Sequence, residues 1–226
     1  TAPNGENRGF DRSAYEKRVY FGFGKADSSE ALRMGPNIAP WPKIPALPEN
    51  LVLKLASVLR DPVTTTDELI PSGETSSYRS NPMKLASFTL SRRDPDYVGR
   101  AQAVSETESL RAAGAFSQEL LSVMNKLELP AETLSNTGFV STIFANKPGD
   151  GSAREQAASC QRVLGAGANI CYEFATKRYR SNCINWGMLP FTLDEGAAFD
   201  YGVNDYIFVP GIRSEVINGD ESLTAT

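Results

Sequence analysis

A chain of 226 residues, with 41% hydrophobic and 22% charged residues, is long enough to bury a core and ordinary in composition for a globular domain. Its 23 basic and 27 acidic residues give a net charge of −4, and no long basic run offers the phosphate-neutralising patch on which nucleic-acid binding rests. The sequence contains no histidine, which excludes Ser-His-Asp and Cys-His arrangements, histidine-ligated metals and a histidine general base.

Any acid or base in this chain must therefore come from Asp, Glu, Ser, Lys, Tyr or Cys. No apolar run approaches the roughly 20 residues needed to span a bilayer, and the N-terminus lacks signal-peptide character. No membrane association is expected, and a cytoplasmic location is. Cys160, Cys171 and Cys183 are spaced 11 and 12 residues apart without a CxxC pair. They supply no zinc or iron–sulfur ligand set and read as buried thiols of a reducing compartment.

In chain order, residues 1–35 are rich in Gly, Asn and charge and carry one aromatic cluster at Tyr15, Tyr20, Phe21 and Phe23. Residues 35–48 hold five prolines in 14 positions and read as an extended linker, with Trp41 packed on a neighbouring surface. Residues 1–48 are thus an arm and 49–226 the domain. Leu51 to Leu59 is apolar and reads as the first core strand, although its leucines also allow a helix. Thr66 or Asp67 is placed to cap a short helix before Pro71 and Gly73 break it. Helices are expected over 83–93 and from about 94 to 110. Residues 115–129 form an amphipathic helix with Leu120, Leu121, Met124 and Leu127 on the core side.

Residues 138–145 are short, apolar and β-branched, a buried strand. They lead into Lys147-Pro-Gly-Asp-Gly-Ser-Ala-Arg-Glu-Gln-Ala-Ala158. This stretch reads as a turn followed by a helix N-terminus, with Ser152 as N-cap and Glu155 as its capping-box partner. Backbone N–H groups, Ser152 and Arg154 would converge there on a carboxylate or phosphate. A plain capped helix with its arginine in solvent is the competing reading. Beyond it come a strand at 166–171, a short helix stopped by Gly187, and a strand at 188–192. Two more short strands, at 205–210 and 212–217, would be joined as a hairpin at Gly211. The order of elements implies an α/β domain with a mixed sheet.

Three ordered stretches resemble the C-terminal swivelling domain of the aconitase superfamily. Asp61-Pro-Val-Thr-Thr-Thr-Asp-Glu-Leu-Ile-Pro-Ser-Gly73 is similar to its Thr-Thr-Asp-His-Ile segment. The turn at 149–157 is similar to its Gly-Ser-Ser-Arg-Glu-His signature. Tyr179-Arg-Ser-Asn-Cys-Ile-Asn-Trp-Gly-Met-Leu-Pro190 is similar to its Asn-x-x-x-x-Gly-x-Leu-Pro segment. The lead-in residues 35–38 and 45–48 also fit, so the resemblance spans most of 35–217.

It implies a swivelling β/β/α domain, with a mixed sheet or partly closed barrel flanked by helices. Such a domain closes over a 4Fe–4S cluster held by N-terminal domains or a large subunit, in a hydro-lyase acting on a hydroxy polycarboxylic acid. By position, Arg79, Ser152 and Arg154 would bind the substrate carboxylates. The family's catalytic serine, however, corresponds to Ala153, and its two histidines to Glu68 and Gln156. Either Asp67, Glu68 or Ser152 takes over the base, or the chemistry differs, or the chain is a catalytically degenerate binding or regulatory module. The start at Thr1 fits a domain cut from a longer enzyme, and a separate small subunit is the alternative. Taken alone, the chain is expected to be inactive and to carry no cofactor.

Overall fold

The computed structural model describes residues 9–13, 16, 24–31, 33–194 and 196–226. The aromatic cluster at Tyr15, Tyr20, Phe21 and Phe23 lies outside them. The chain divides into two compact units, Thr1–Gly35 and Pro36–Thr226. The second is a five-stranded mixed sheet with helices packed on it.

Its elements are strand β1 (Asn50–Leu59), β2 (Thr64–Thr65), helix α1 (Thr66–Leu69), α2 (Pro82–Ala86), α3 (Tyr97–Ala112) and α4 (Gln118–Lys126). They continue with β3 (Thr137–Ala145), β4 (Pro148–Asp150), α5 (Arg154–Val163), β5 (Ala166–Cys171) and α6 (Lys177–Asn185). The last are β6 (Leu189–Thr192), β7 (Tyr206–Val209) and α7 (Ile212–Asn218).

The sheet order is β6-β5-β3-β1-β7, in which the first four strands run parallel and β7 runs antiparallel against β1. All nine residues of β3 and all six of β5 are buried, as expected for parallel strands covered on both faces. Alternation within β1 sorts the core. Leu51, Leu53 and Leu55 join Val140, Phe144, Ile170 and Val209 on one face. On the other face Val52 packs with Leu120, Val123, Met124 and Phe139, and Ala56 lies in the cluster of α2, α3, α5 and α6.

Three expectations about local structure are corrected. Residues 212–217 form α7, not a strand. Gly211 sits at φ +61 as that helix's N-cap and turns the chain out of β7, so no hairpin closes the sheet. In α4 the core side is Leu120, Val123 and Met124, with Leu127 packed against the same cluster, while Leu121 is 41% exposed, because positions 120, 123, 124 and 127 share one helical face and 121 lies off it. The expected helix over 83–93 ends at Ala86 and continues as turns, and Leu90 holds φ +55.

The proline-rich segment carries no regular structure, yet it is strapped to the domain. Ala39 N–H donates to Ser80 O (3.0 Å), Arg162 Nη2 donates to Pro45 O (3.2 Å), and Leu47 packs on the core. Trp41 packs on Trp186 with ring centroids 4.6 Å apart and the rings tilted by 34°, the neighbouring surface that the sequence left unnamed.

Two connections carry the domain's functional interest. After β1 and after β3 the chain forms the short strands β2 and β4, which pair in parallel as a separate two-stranded sheet. This pair stands beyond the C-terminal ends of the central strands. In open α/β sheets that is where ligands gather.

Candidate functional site

The Thr65 hydroxyl caps α1, accepting from Glu68 N (3.2 Å), while Glu68 Oε2 accepts from Thr65 N (2.7 Å) and Thr65 Oγ1 (2.9 Å). The cap is thus Thr65, one residue before Thr66 and two before Asp67, the caps expected. Glu68, one of the candidate bases, is committed to it, with its second oxygen 3.4 Å from Arg93 Nε. Asp67 is bonded to Arg92 Nη1 at 2.5 Å, and Arg92 also reaches Glu74. Each of these two carboxylates therefore already has a cationic or hydrogen-bonding partner.

The turn that follows β4 is held on two sides. Gly149 has φ +97, and a Cβ there would come within 2.3–2.5 Å of three atoms of Tyr179 on α6. Gly151 has φ +126, and its Cβ would meet the Thr66 hydroxyl at 2.2 Å. The backbone thus passes flat against α6 and then against α1, in a conformation that L-residues rarely adopt. Tyr179 is itself fixed from below. Gln161 Nε2 (2.9 Å) and Asn169 Nδ2 (2.7 Å) both donate to its phenol oxygen, and burial raises that phenol's pKa well above its ordinary value, so it stays neutral.

The helix expected after the turn is α5, but its cap differs from the one expected. The N-cap is Ala153, at φ −82 and ψ 37, with no side-chain cap hydrogen bond. Ser152 lies one residue outside, and Glu155 turns away to accept from Trp186 Nε1 (3.1 Å). Without a side-chain cap, the first N–H groups of α5 are left to solvent or a ligand, at the positive end of the helix dipole.

Three clefts meet at Ser152. One, lined by Ser72, Arg79, Ser152, Ala153, Glu155 and Gln156, measures about 300 Å³. A second, lined by Ser152, Arg154 and Glu155 with Lys177, Arg178, Ser181 and Asn182, measures about 350 Å³. The third holds Thr65, Thr66, Asp67, Ser72, Asp150, Gly151, Ser152 and Ala153. Of the three expected carboxylate ligands, Arg79 and Arg154 thus each share a cleft with the third, Ser152, but they occupy different clefts. Ala153 lies where two of the clefts meet, and only its methyl group stands there. Asp150 lines the acidic cleft beside Asp67. Its place on β4 gives it no periodic or spacing signal, and sequence reasoning passed over it, as it did Lys177 and Arg178.

Among the described residues no group of three or more Cys, Asp or Glu side chains stands together as a metal site. The three thiols are free and buried, and Cys160 and Cys183 lie inside the main apolar cluster. This chain's own residues do not fit an iron–sulfur cluster. No helix among the described residues is long and apolar enough to cross a membrane.

The family model of the Aconitase C-terminal domain matches residues 117–196. That stretch holds α4 through β6, including Ser152, Ala153 and Arg154, while Asp67, Glu68 and Arg79 lie before it. Over those residues it bears out the aconitase-superfamily resemblance of the turn and of the 179–190 segment. No curated protein matches the chain. Among solved structures, the crystal structure of 3-isopropylmalate dehydratase from Methanocaldococcus jannaschii aligns at 17% identity. It covers 75% of this chain and 78% of that one, with a TM-score of 0.43.

Proposed function

We propose that the chain is the substrate-binding swivel domain of an aconitase-superfamily hydro-lyase, and that it binds a hydroxy polycarboxylate around Ser152. The observation that carries this reading is the meeting of two cation-bearing clefts at one serine beside the uncapped N-terminus of α5. A ligand with several carboxylates can lay one against Arg79 and another against Arg154, with the Ser152 hydroxyl and the first N–H groups of α5 between them. Guanidinium is suited to this because it offers a planar pair of donors that matches a carboxylate. The family match across the turn supports the same assignment.

In this proposal catalysis requires a partner, either N-terminal domains of a longer chain or a separate large subunit, carrying the 4Fe–4S cluster. The three free thiols fit a reducing compartment, and we place the protein in the cytoplasm. The chain's own residues bind and orient the ligand. With alanine at 153, a proton must be taken by a group elsewhere in the acidic cleft, and Asp150 and Asp67 are the carboxylates that line it.

A calorimetric titration of the chain with a citrate-type tricarboxylate tests the binding step. Saturable binding is expected, weakened about 10- to 100-fold by Arg154→Gln, the loss that follows removal of a charge-assisted hydrogen-bonding pair. Absence of saturable binding would remove the assignment.

A second reading is favoured by Ala153 and by the engagement of Glu68 in its capping box. Here the domain binds the same anion as a non-catalytic module. Turnover by the partner-loaded enzyme separates the two readings, since binding affects rate only through interactions stronger in the transition state.

A further inference from the structure

Two cations that no motif accounts for stand beside the turn. Helix α6 is capped by Thr176, whose Oγ1 accepts from Tyr179 N (3.2 Å) and donates to Gly149 O (3.0 Å). One hydroxyl therefore caps the helix and ties its start to the turn. As a result the first turn of α6 lies against the cleft of Ser152 and Arg154. Lys177 and Ser181, and likewise Arg178 and Asn182, are four residues apart and share a helical face. All four line that cleft.

The charges in the two clefts differ. The Arg79 cleft has one cation and one acid, Glu155. The α6 cleft has Arg154, Lys177 and Arg178 against the same Glu155, whose carboxylate is bonded to the Trp186 indole. Among the described residues none of those three cations has an ion-pair partner. Three cations around one concave space repel each other unless an anion joins them, and the chain as a whole is acidic, so this positive field is local.

We propose that Lys177 and Arg178 extend the Arg154 cleft into a further anionic subsite, which takes a third carboxylate of the ligand and makes the site prefer tricarboxylates to dicarboxylates. This rests on the carboxylate-binding reading above and adds the residues that count the ligand's charges. Lys177 and Arg178 are specificity-determining groups here, with Ser181 and Asn182 supplying neutral hydrogen bonds.

The test is a calorimetric titration of the full chain with tricarballylate, which has three carboxylates, and with glutarate, which has two. The wild-type chain is expected to bind tricarballylate about tenfold or more tightly than glutarate. A double variant, K177Q/R178Q, should bring tricarballylate down to the glutarate value and leave glutarate unchanged. K126Q on α4, which removes a remote charge, should move neither. Equal wild-type affinity for the two ligands overturns the subsite while leaving the carboxylate site standing. An equal loss of both ligands in the double variant also overturns it, because that is the mark of a general field. If neither ligand binds the wild-type chain, the underlying site assignment falls and the subsite with it.

Discussion

Gly149→Ala is expected to destabilise the domain by about 2–5 kcal/mol and to lower its urea midpoint accordingly. Two separate costs add. A non-glycine residue at φ +97 carries about 1–2 kcal/mol of backbone strain. Its methyl would also enter the space of the Tyr179 ring, within 2.3–2.5 Å of three atoms. Overpacking of that kind costs about 1–3 kcal/mol where the neighbour has room to yield. Tyr179 has little, since it is fully buried and anchored by Gln161 and Asn169. Gly151→Ala should behave similarly through Thr66, whose hydroxyl stands 2.2 Å from the added carbon. Gly73→Ala is the control, because nothing lies within 4 Å and its φ is not positive, so a change within about 0.5 kcal/mol is expected. A Gly149→Ala midpoint equal to that of the wild type would mean that the turn is not held as described. Ligand affinity should fall with stability in the two turn variants and not in the control, because the turn places Ser152.

How far the sequence discloses this fold follows from the range of the interactions. The central strands are legible because β3 and β5 are buried on both faces, so that β3 reads as a short apolar β-branched run and β5 as a short run of small and apolar residues. The end of the chain is not. Residues 212–217 have the composition of a strand, and their helix is set by Gly211 in the left-handed region and by burial of Ile212 against β1 and β7, both of them tertiary facts. The same limit applies at the site. Glycines flanking an acid, then Ser, Ala and Arg, announce a tight turn and a helix start. Which residue caps that helix depends on ψ at Ala153 and on the indole of Trp186, 31 residues away, which draws Glu155 off. Lys177 and Arg178 carry no signal in sequence, as two exposed cations at a helix start are common. Their meaning arises only when Thr176 ties that start to Gly149.

Alkaline pH is expected to unfold the domain over an interval that its buried thiols define. Burial pushes the thiol pKa of Cys160 up to about 12, with Glu155 adding to the shift. It pushes Cys171 up to about 12, with Cys183 and Glu173 adding, and Cys183 also to about 12. An exposed thiol in the unfolded chain ionises near pH 9. Below that value both states hold the proton and the thiols leave stability unchanged. Above it the unfolded chain loses protons that the folded chain keeps, so stability falls as pH rises from about 9 to about 12. One proton difference changes stability by about 1.4 kcal/mol per pH unit, so each thiol removes at most about 4 kcal/mol across the interval. Burial also raises the phenols of Tyr97 and Tyr179, whose contribution begins about one unit later, above their ordinary pKa near 10. Urea denaturation at pH 7, 9, 10 and 11 should therefore give a flat first step and then steepening losses. In Cys160→Ala the slope between pH 9.5 and 11 should be shallower by about 1.4 kcal/mol per unit than in the wild type. The same burial predicts that, at pH 8, iodoacetamide alkylates the native thiols at least about 100-fold more slowly than those of the urea-unfolded chain, because only the thiolate reacts. Stability that stays flat from pH 9 to pH 11, with all three thiols alkylated rapidly in the native state, would place these cysteines at the surface and contradict the core drawn around α5 and α6.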